Sequence, residues 1–285
     1  MKQFYSLLVF TLLVSCQEIS KHRPSENNFG AKKSPKELNN LKVRISNPEK
    51  TEINYEFVLK LGVQVGSQEL ECVGTLISKE YIVTSASCFK YHGIDASPND
   101  VKVYTENKGT RGEFIVENII IHSKFNITNF RNNIALVKLA ETNVIIIDNY
   151  IKIYNKPLRD MEFFEIAGYG VDSNNYNRPN YELKSFYALV HPYKNCSDKN
   201  VYKNMICYTV YLGKGACYGD MGGPAIIEDE GIPSVAGISS HFFTHGERKA
   251  CSAEGDFGYF TNLAKYIKWI KRMTGLDQNE FAIID

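Results

Sequence analysis

The chain has 285 residues, of which 44% are hydrophobic and 23% charged, enough for one large domain or two small ones with a buried core. Lys and Arg number 33 against 32 Asp and Glu, and the formal charge of +1 argues against a nucleic-acid partner bound through a strongly basic surface. No metal or cofactor motif stands out: His241 and His245 are the nearest approach to a ligand pair, and their spacing is that of a helix in a segment that does not read as one.

Lys2 precedes an apolar run from Tyr5 to Val14, shorter than the roughly 20 residues that span a bilayer. It reads as a secretory signal over residues 1–16, with cleavage near Cys16. Leu13-Val14-Ser15-Cys16 also reads as a lipoprotein box, with Cys16 lipidated. No other stretch is long and apolar enough to be a membrane span. Residues 17–44 are polar, without apolar periodicity, and read as a linker or removable pro-segment.

From Arg44 onward short β-rich runs recur: Phe57 to Val65, Tyr81 to Ser85, Phe114 to Ile121, Ile134 to Leu139, Phe163 to Ala167 and Val235 to Ser239. Strands without intervening helical patterns suggest a sandwich or barrel. A single helical pattern closes the chain, where Leu263, Tyr266, Ile267 and Ile270 share a face and Gly275 marks the end. Its Lys265, Lys268, Lys271 and Arg272 read as a solvated face, with a polyanion-binding stripe as the alternative. Without Cys16, six cysteines remain, an even number suited to an oxidising route; spacing alone does not choose their pairing.

Several motifs occur in the order of one known family. Cys72-Val73-Gly74-Thr75-Leu76-Ile77-Ser78 is followed by Thr84-Ser85-Ala86-Ser87-Cys88, then by Asn132-Asn133-Ile134-Ala135-Leu136-Val137-Lys138-Leu139. Ala167-Gly168-Tyr169-Gly170, Met205-Ile206-Cys207, Ala216-Cys217-Tyr218-Gly219-Asp220-Met221-Gly222-Gly223-Pro224 and Gly258-Tyr259-Phe260-Thr261 complete the series. Together they resemble the trypsin/chymotrypsin-like serine proteases over Arg44 to about Arg272. The resemblance implies an all-β fold of two antiparallel six-stranded β-barrels with a C-terminal α-helix, in a domain spanning residues 45–285. It further implies the disulfides Cys72–Cys88, Cys196–Cys207 and Cys217–Cys251.

The family's catalytic triad is a hydroxyl nucleophile, an imidazole base and a carboxylate that orients it. The matching positions hold Met221, Ser87 and Asn133. A thioether has no proton to lose, a serine is no base near neutral pH, and an amide carries no charge to support an imidazolium. The resemblance therefore points to an inactive homologue. Gly219 and Met221 match the backbone donors of the oxyanion hole. Gly215 matches the floor of the specificity pocket, without the acidic charge trypsins carry there. Phe242 replaces a glycine at the pocket entrance, and Tyr218 and Tyr259 add bulk. Asp220 matches the carboxylate that binds the new amino terminus after cleavage, which here would be Ile45. Ser46-Asn47-Pro48 replaces the glycines that let that terminus swing inward. Asn126-Ile127-Thr128 is a glycosylation sequon.

These readings lead to a secreted, extracellular, non-catalytic protein that acts by binding other proteins, as a regulatory component of a process such as reproduction or innate immunity. Two alternatives stand beside it: a hydrolase with a relocated site, for which His92 and the Ser240–His241 pair are the candidates, and a carbohydrate or heparin binder using the terminal helix.

Overall fold

Leu59, Leu61, Val63 and Val65 alternate along the first strand, and all four are buried, which fixes the inner face of the sheet it starts. The computed structural model of the protein describes residues 55–107, 110–142, 149–170, 182–192, 196, 203–210, 215–243 and 256–284. The strands β1 (Val58–Val65), β2 (Gln68–Leu76) and β3 (Tyr81–Thr84) come first. A short hairpin of β4 (Lys90–Tyr91) and β5 (Ile94–Asp95) follows, then β6 (Val101–Asn107), β7 (Thr110–Phe114), β8 (Val116–Ile121) and β9 (Ala135–Leu139). Apart from the hairpin they form one seven-stranded sheet in the order β7-β6-β1-β2-β3-β9-β8. This agrees with the six strands expected, because β7 and β8 are one strand interrupted only at Ile115, and its two segments stand at opposite ends of the order.

The second half holds β10 (Glu162–Gly168), β11 (Lys184–Pro192), β12 (Met205–Thr209), β13 (Pro224–Asp229), β14 (Ile232–Phe243) and β15 (Phe257–Asn262). They close into a barrel in the order β10-β11-β12-β15-β14-β13, which leaves no open edge. Two helices end the chain, α1 (Ile267–Thr274) and α2 (Gln278–Phe281). Gly275 terminates α1 with φ 74°, the left-handed cap that glycine supplies without strain. None of the described helices is long and apolar enough to cross a membrane.

The two halves are tied together in three ways. Ile151 donates its N–H to Leu76 O at 3.0 Å, and Ile153 bridges to both Val235 and Ala282. One continuous core includes Leu59, Val83 and Leu136 of the first sheet, Val235 and Ile238 of the barrel, and Trp269 and Ile270 of α1. A second core, built on Phe164, Tyr208 and Phe260, fills the barrel interior. This packing sets the loops after β3, before β9 and before β13 against one another, and the candidate site lies where they meet.

Candidate functional site

β3 ends in a network that aims the next turn at the second half. Thr84 Oγ1 donates to Val73 O at 2.7 Å, and Ser85 Oγ donates to Ser239 O at 2.5 Å. The turn Ala86–Phe89 then presents Ser87, while its neighbour Cys88 is bridged to Cys72. That bond closes a separation of 16 residues, worth about 3 kcal/mol in the chain-entropy account.

Asn133 is fully buried beside Ser87. Its Oδ1 accepts the Ser87 backbone N–H at 2.8 Å, and its Nδ2 lies 3.2 Å from Ser87 Oγ, 3.0 Å from Ser240 O and 3.0 Å from Ser240 Oγ. Thr261 Oγ1 donates to the Asn133 carbonyl at 2.9 Å. A neutral amide suits these surroundings, since it accepts on one side and donates to oxygens on the other. The preceding loop is pinned to the terminal helix region: Tyr266 OH donates to Asn132 Oδ1 at 3.1 Å, and Asn132 Nδ2 donates to Lys124 O at 2.9 Å.

The Met221 loop is held from two sides. Val73 N–H donates to Met221 O and Gly222 N–H to Ser239 O, each at 2.8 Å. Gly222 has φ 85°, and a Cβ there would overlap Thr84 Oγ1 and the Val73 carbonyl, so the close approach of the two halves requires glycine. Gly219 has φ 94°. The Met221 side chain is half-buried and packs on the first core. Cys88 Sγ lies 3.8 Å from Met221 O, so the loops carrying Ser87 and Met221 are adjacent. Ser87, Asn133 and Met221, separate in sequence, thus gather at one cleft.

Asp220 as a whole is half-buried, but its carboxylate is enclosed. It accepts the Gly170 N–H at 2.6 Å and the Cys217 N–H at 2.9 Å. A Cβ on Gly168 or Gly170 would overlap it. Burial raises its pKa to about 6 from 3.8, against the pull of the two N–H groups and of the Lys184 charge. Between these values the folded state holds a proton that the unfolded chain has released, so this group's contribution to stability falls as pH rises from 3.8 to about 6. Urea denaturation between pH 4 and pH 7 is expected to show that loss, and Asp220→Asn to flatten it. An unchanged slope in the variant would contradict the assignment. Ile45 lies outside the described residues.

The pocket holds a residue that the sequence reading did not single out. In the pairing across β12, β15 and β14, Tyr208 and Phe242 both lie opposite Gly258. Paired residues share a sheet face, so both rings flank the same glycine. A Cβ on Gly258 would overlap the Tyr208 ring, and Tyr208 OH accepts the Ala216 N–H at 2.6 Å, next to the half-buried Gly215. Tyr208 is 1% exposed and fills the space between pocket floor and wall. At the entrance Phe242 is half-buried with Tyr218 edge-on against it at 5.4 Å.

Tyr259 is buried and stacked on His241. His241 is stacked between Phe130 and Tyr259, at 4.5 Å and 4.7 Å with interplanar angles of 12° and 15°. Its Nδ1 lies 3.1 Å from Ser240 Oγ. Ser240 is fully buried and His241 half-buried. His92 sits at the exposed tip of the β4–β5 hairpin with φ 47°. Cys196 and Cys207 are bridged, and Cys217 is also in a disulfide; Cys251, its expected partner, and His245 lie outside the described residues, as do residues 1–44. Asn126 is exposed, and its Oδ1 accepts the Thr128 N–H at 2.9 Å, in a turn open to solvent. Among the described residues no group of three or more His, Cys, Asp or Glu is placed to hold a metal ion.

Two β-barrels that share one core, with the loops after β3, before β9 and before β13 brought together between them, define a two-barrel protein of the protease type. The family model described as Trypsin matches residues 45–270, and the chain belongs to that family. It is 30% identical over 222 residues to transmembrane protease serine 11C of Mus musculus, covering 72% of this chain and 48% of that protein. It is 29% identical over 231 residues to urokinase-type plasminogen activator of Gallus gallus, covering 72% of this chain and 51% of that one. The chain spans about half the length of these curated relatives. Among solved structures, HL collagenase superposes with a TM-score of 0.64 at 26% identity, over 81% of this chain and 99% of that one.

Proposed function

We propose that this trypsin-family protein is a secreted, non-catalytic homologue that acts by binding other extracellular proteins. The observation that carries the reading is the hydrogen bonding around Ser87. An amide, not a carboxylate, sits behind it, and a hydroxyl stands where acyl transfer needs an imidazole. Met221 supplies no nucleophile, and the Ser240–His241 pair is sealed by burial and ring stacking. Tyr208 and Phe242 leave the pocket no room for a substrate side chain. The disulfides suit an oxidising, extracellular setting. What remains is a rigid two-barrel frame that displays surface loops, the part of such a fold that carries recognition. Regulation of a proteolytic or fluid-phase network, as in reproduction or innate immunity, is the role such a protein would serve.

The test is prolonged incubation of the purified protein with a diverse peptide library, read by mass spectrometry. All peptides are expected to remain intact. Cleavage that survives repurification and is abolished by Ser240→Ala would establish the relocated-site hydrolase instead.

A further inference from the structure

The helix cations that the sequence placed on a solvated face do not stand alone. Lys265, Lys268 and Arg272 are exposed and fall at three- and four-residue spacing, so they form one stripe along α1 and the turn before it. Lys124 and Arg131, from the loop between β8 and β9, are also exposed. The fold brings loop and helix together at His122, whose ring lies 5.1 Å from Trp269 and 5.7 Å from Tyr266. Its imidazolium form is disfavoured first by burial and then by the charges of Lys124 and Arg272. Arg131 acts likewise on Tyr266. Lys271, by contrast, pairs with Asp277 at 3.3 Å. Lys124, Lys265, Lys268 and Arg272 make no ion pair with any described residue. In a chain with a net charge of +1, this is a strong local excess.

We propose that this composite face, Lys124 and Arg131 from the loop with Lys265, Lys268 and Arg272 from the helix, binds a sulfated polysaccharide. Spread, exposed cations without a closed cage suit an extended chain of high charge density, bound largely by release of its counterions. No large apolar side chain is exposed between Leu263 and Ala282, so the helix lacks the apolar face that would insert into a lipid surface. The choice of a glycan over nucleic acid rests on the extracellular setting of the proposed function.

The experiment measures the affinity of the full protein for immobilised heparin at about 0.15 M salt and its salt dependence. The double variant Lys268→Glu/Arg272→Glu is expected to bind roughly tenfold or more weakly with a shallower salt slope, and Lys124→Glu severalfold more weakly. Lys102→Glu, an exposed charge reversal on β6, is the control and should leave binding unchanged. Hyaluronan, which lacks sulfate, should not compete. Loss of affinity as large in Lys102→Glu, insensitivity to the helix and loop variants, or equal binding to duplex DNA or to phosphatidylserine vesicles would overturn the proposal. None of these outcomes bears on peptide cleavage, so the proposal fails or stands apart from the non-catalytic reading.

Discussion

Met221→Ser alone is expected to leave peptide hydrolysis at background. A hydroxyl at position 221 would have no imidazole to take its proton, because position 87 offers only another hydroxyl bonded to Asn133. Members of a triad act as a unit, and losing the orienting carboxylate alone costs about 10⁴ in turnover. The combined variant Ser87→His/Asn133→Asp/Met221→Ser is the first expected to gain a reactive nucleophile, by roughly 10³-fold or more over the single variant. Its peptide cleavage is expected to stay weak, since the Tyr208 ring lies against Gly258 and Phe242 packs on Tyr218. The measurement is turnover of fluorogenic peptides with small residues before the scissile bond. Activity in Met221→Ser comparable to that of the combined variant would mean that another group serves as base.

Tyr208→Ala is expected to cost about 3–5 kcal/mol in urea denaturation, the usual effect of truncating a buried aromatic. It also deprives the Ala216 N–H of its acceptor. The space left between Gly258 and Ala216 should admit an aromatic guest, so phenol should raise the variant's melting temperature and not that of the native protein. Gly258→Ala provides the complementary test. In the native background its added methyl overlaps the Tyr208 ring and should cost about 1–3 kcal/mol. Combined with Tyr208→Ala, most of that cost should vanish, since the two groups compete for one space. Equal costs in both backgrounds would show that Tyr208 does not fill the pocket.

Much of this fold was legible because its inner faces are plainly apolar. Phe57 to Val65 and Ile134 to Leu139 read as strands from their β-rich apolar content, and the strands run Val58–Val65 and Ala135–Leu139. β11 did not, because Lys184, Ser185 and His191 interrupt it and its side chains are mostly half-exposed. β14 was read only from Val235 to Ser239. The strand begins at Ile232, after a tight turn formed by Glu230 and Gly231 with φ 52° and 80°, and continues to Phe243 through a bulge near Ser239. Glu-Gly is a weaker turn signal than Asn-Gly, and a bulge breaks the alternation that sequence reading relies on.

At the site, motif order placed Ser87, Asn133 and Met221, because the surrounding glycines and cysteines are required by close backbone approach. The closure by Tyr208 was not legible. It depends on three strands lying side by side, with Tyr208, Gly258 and Phe242 in register, and no spacing within one strand reports that. The meeting of the β8–β9 loop with the terminal helix was hidden for the same reason, since His122 reaches Tyr266 and Trp269 only once the helix has docked.

The central claim is that the cleft holds no activated nucleophile. A small fluorophosphonate probe needs no filled specificity pocket, so it reports on the nucleophile itself. Intact-mass spectrometry after exposure to the probe, with the native protein beside the Ser87→His/Asn133→Asp/Met221→Ser variant, tests that claim most directly. The account predicts no adduct on the native protein and a single adduct at position 221 of the variant; a stoichiometric adduct on the native protein would contradict it.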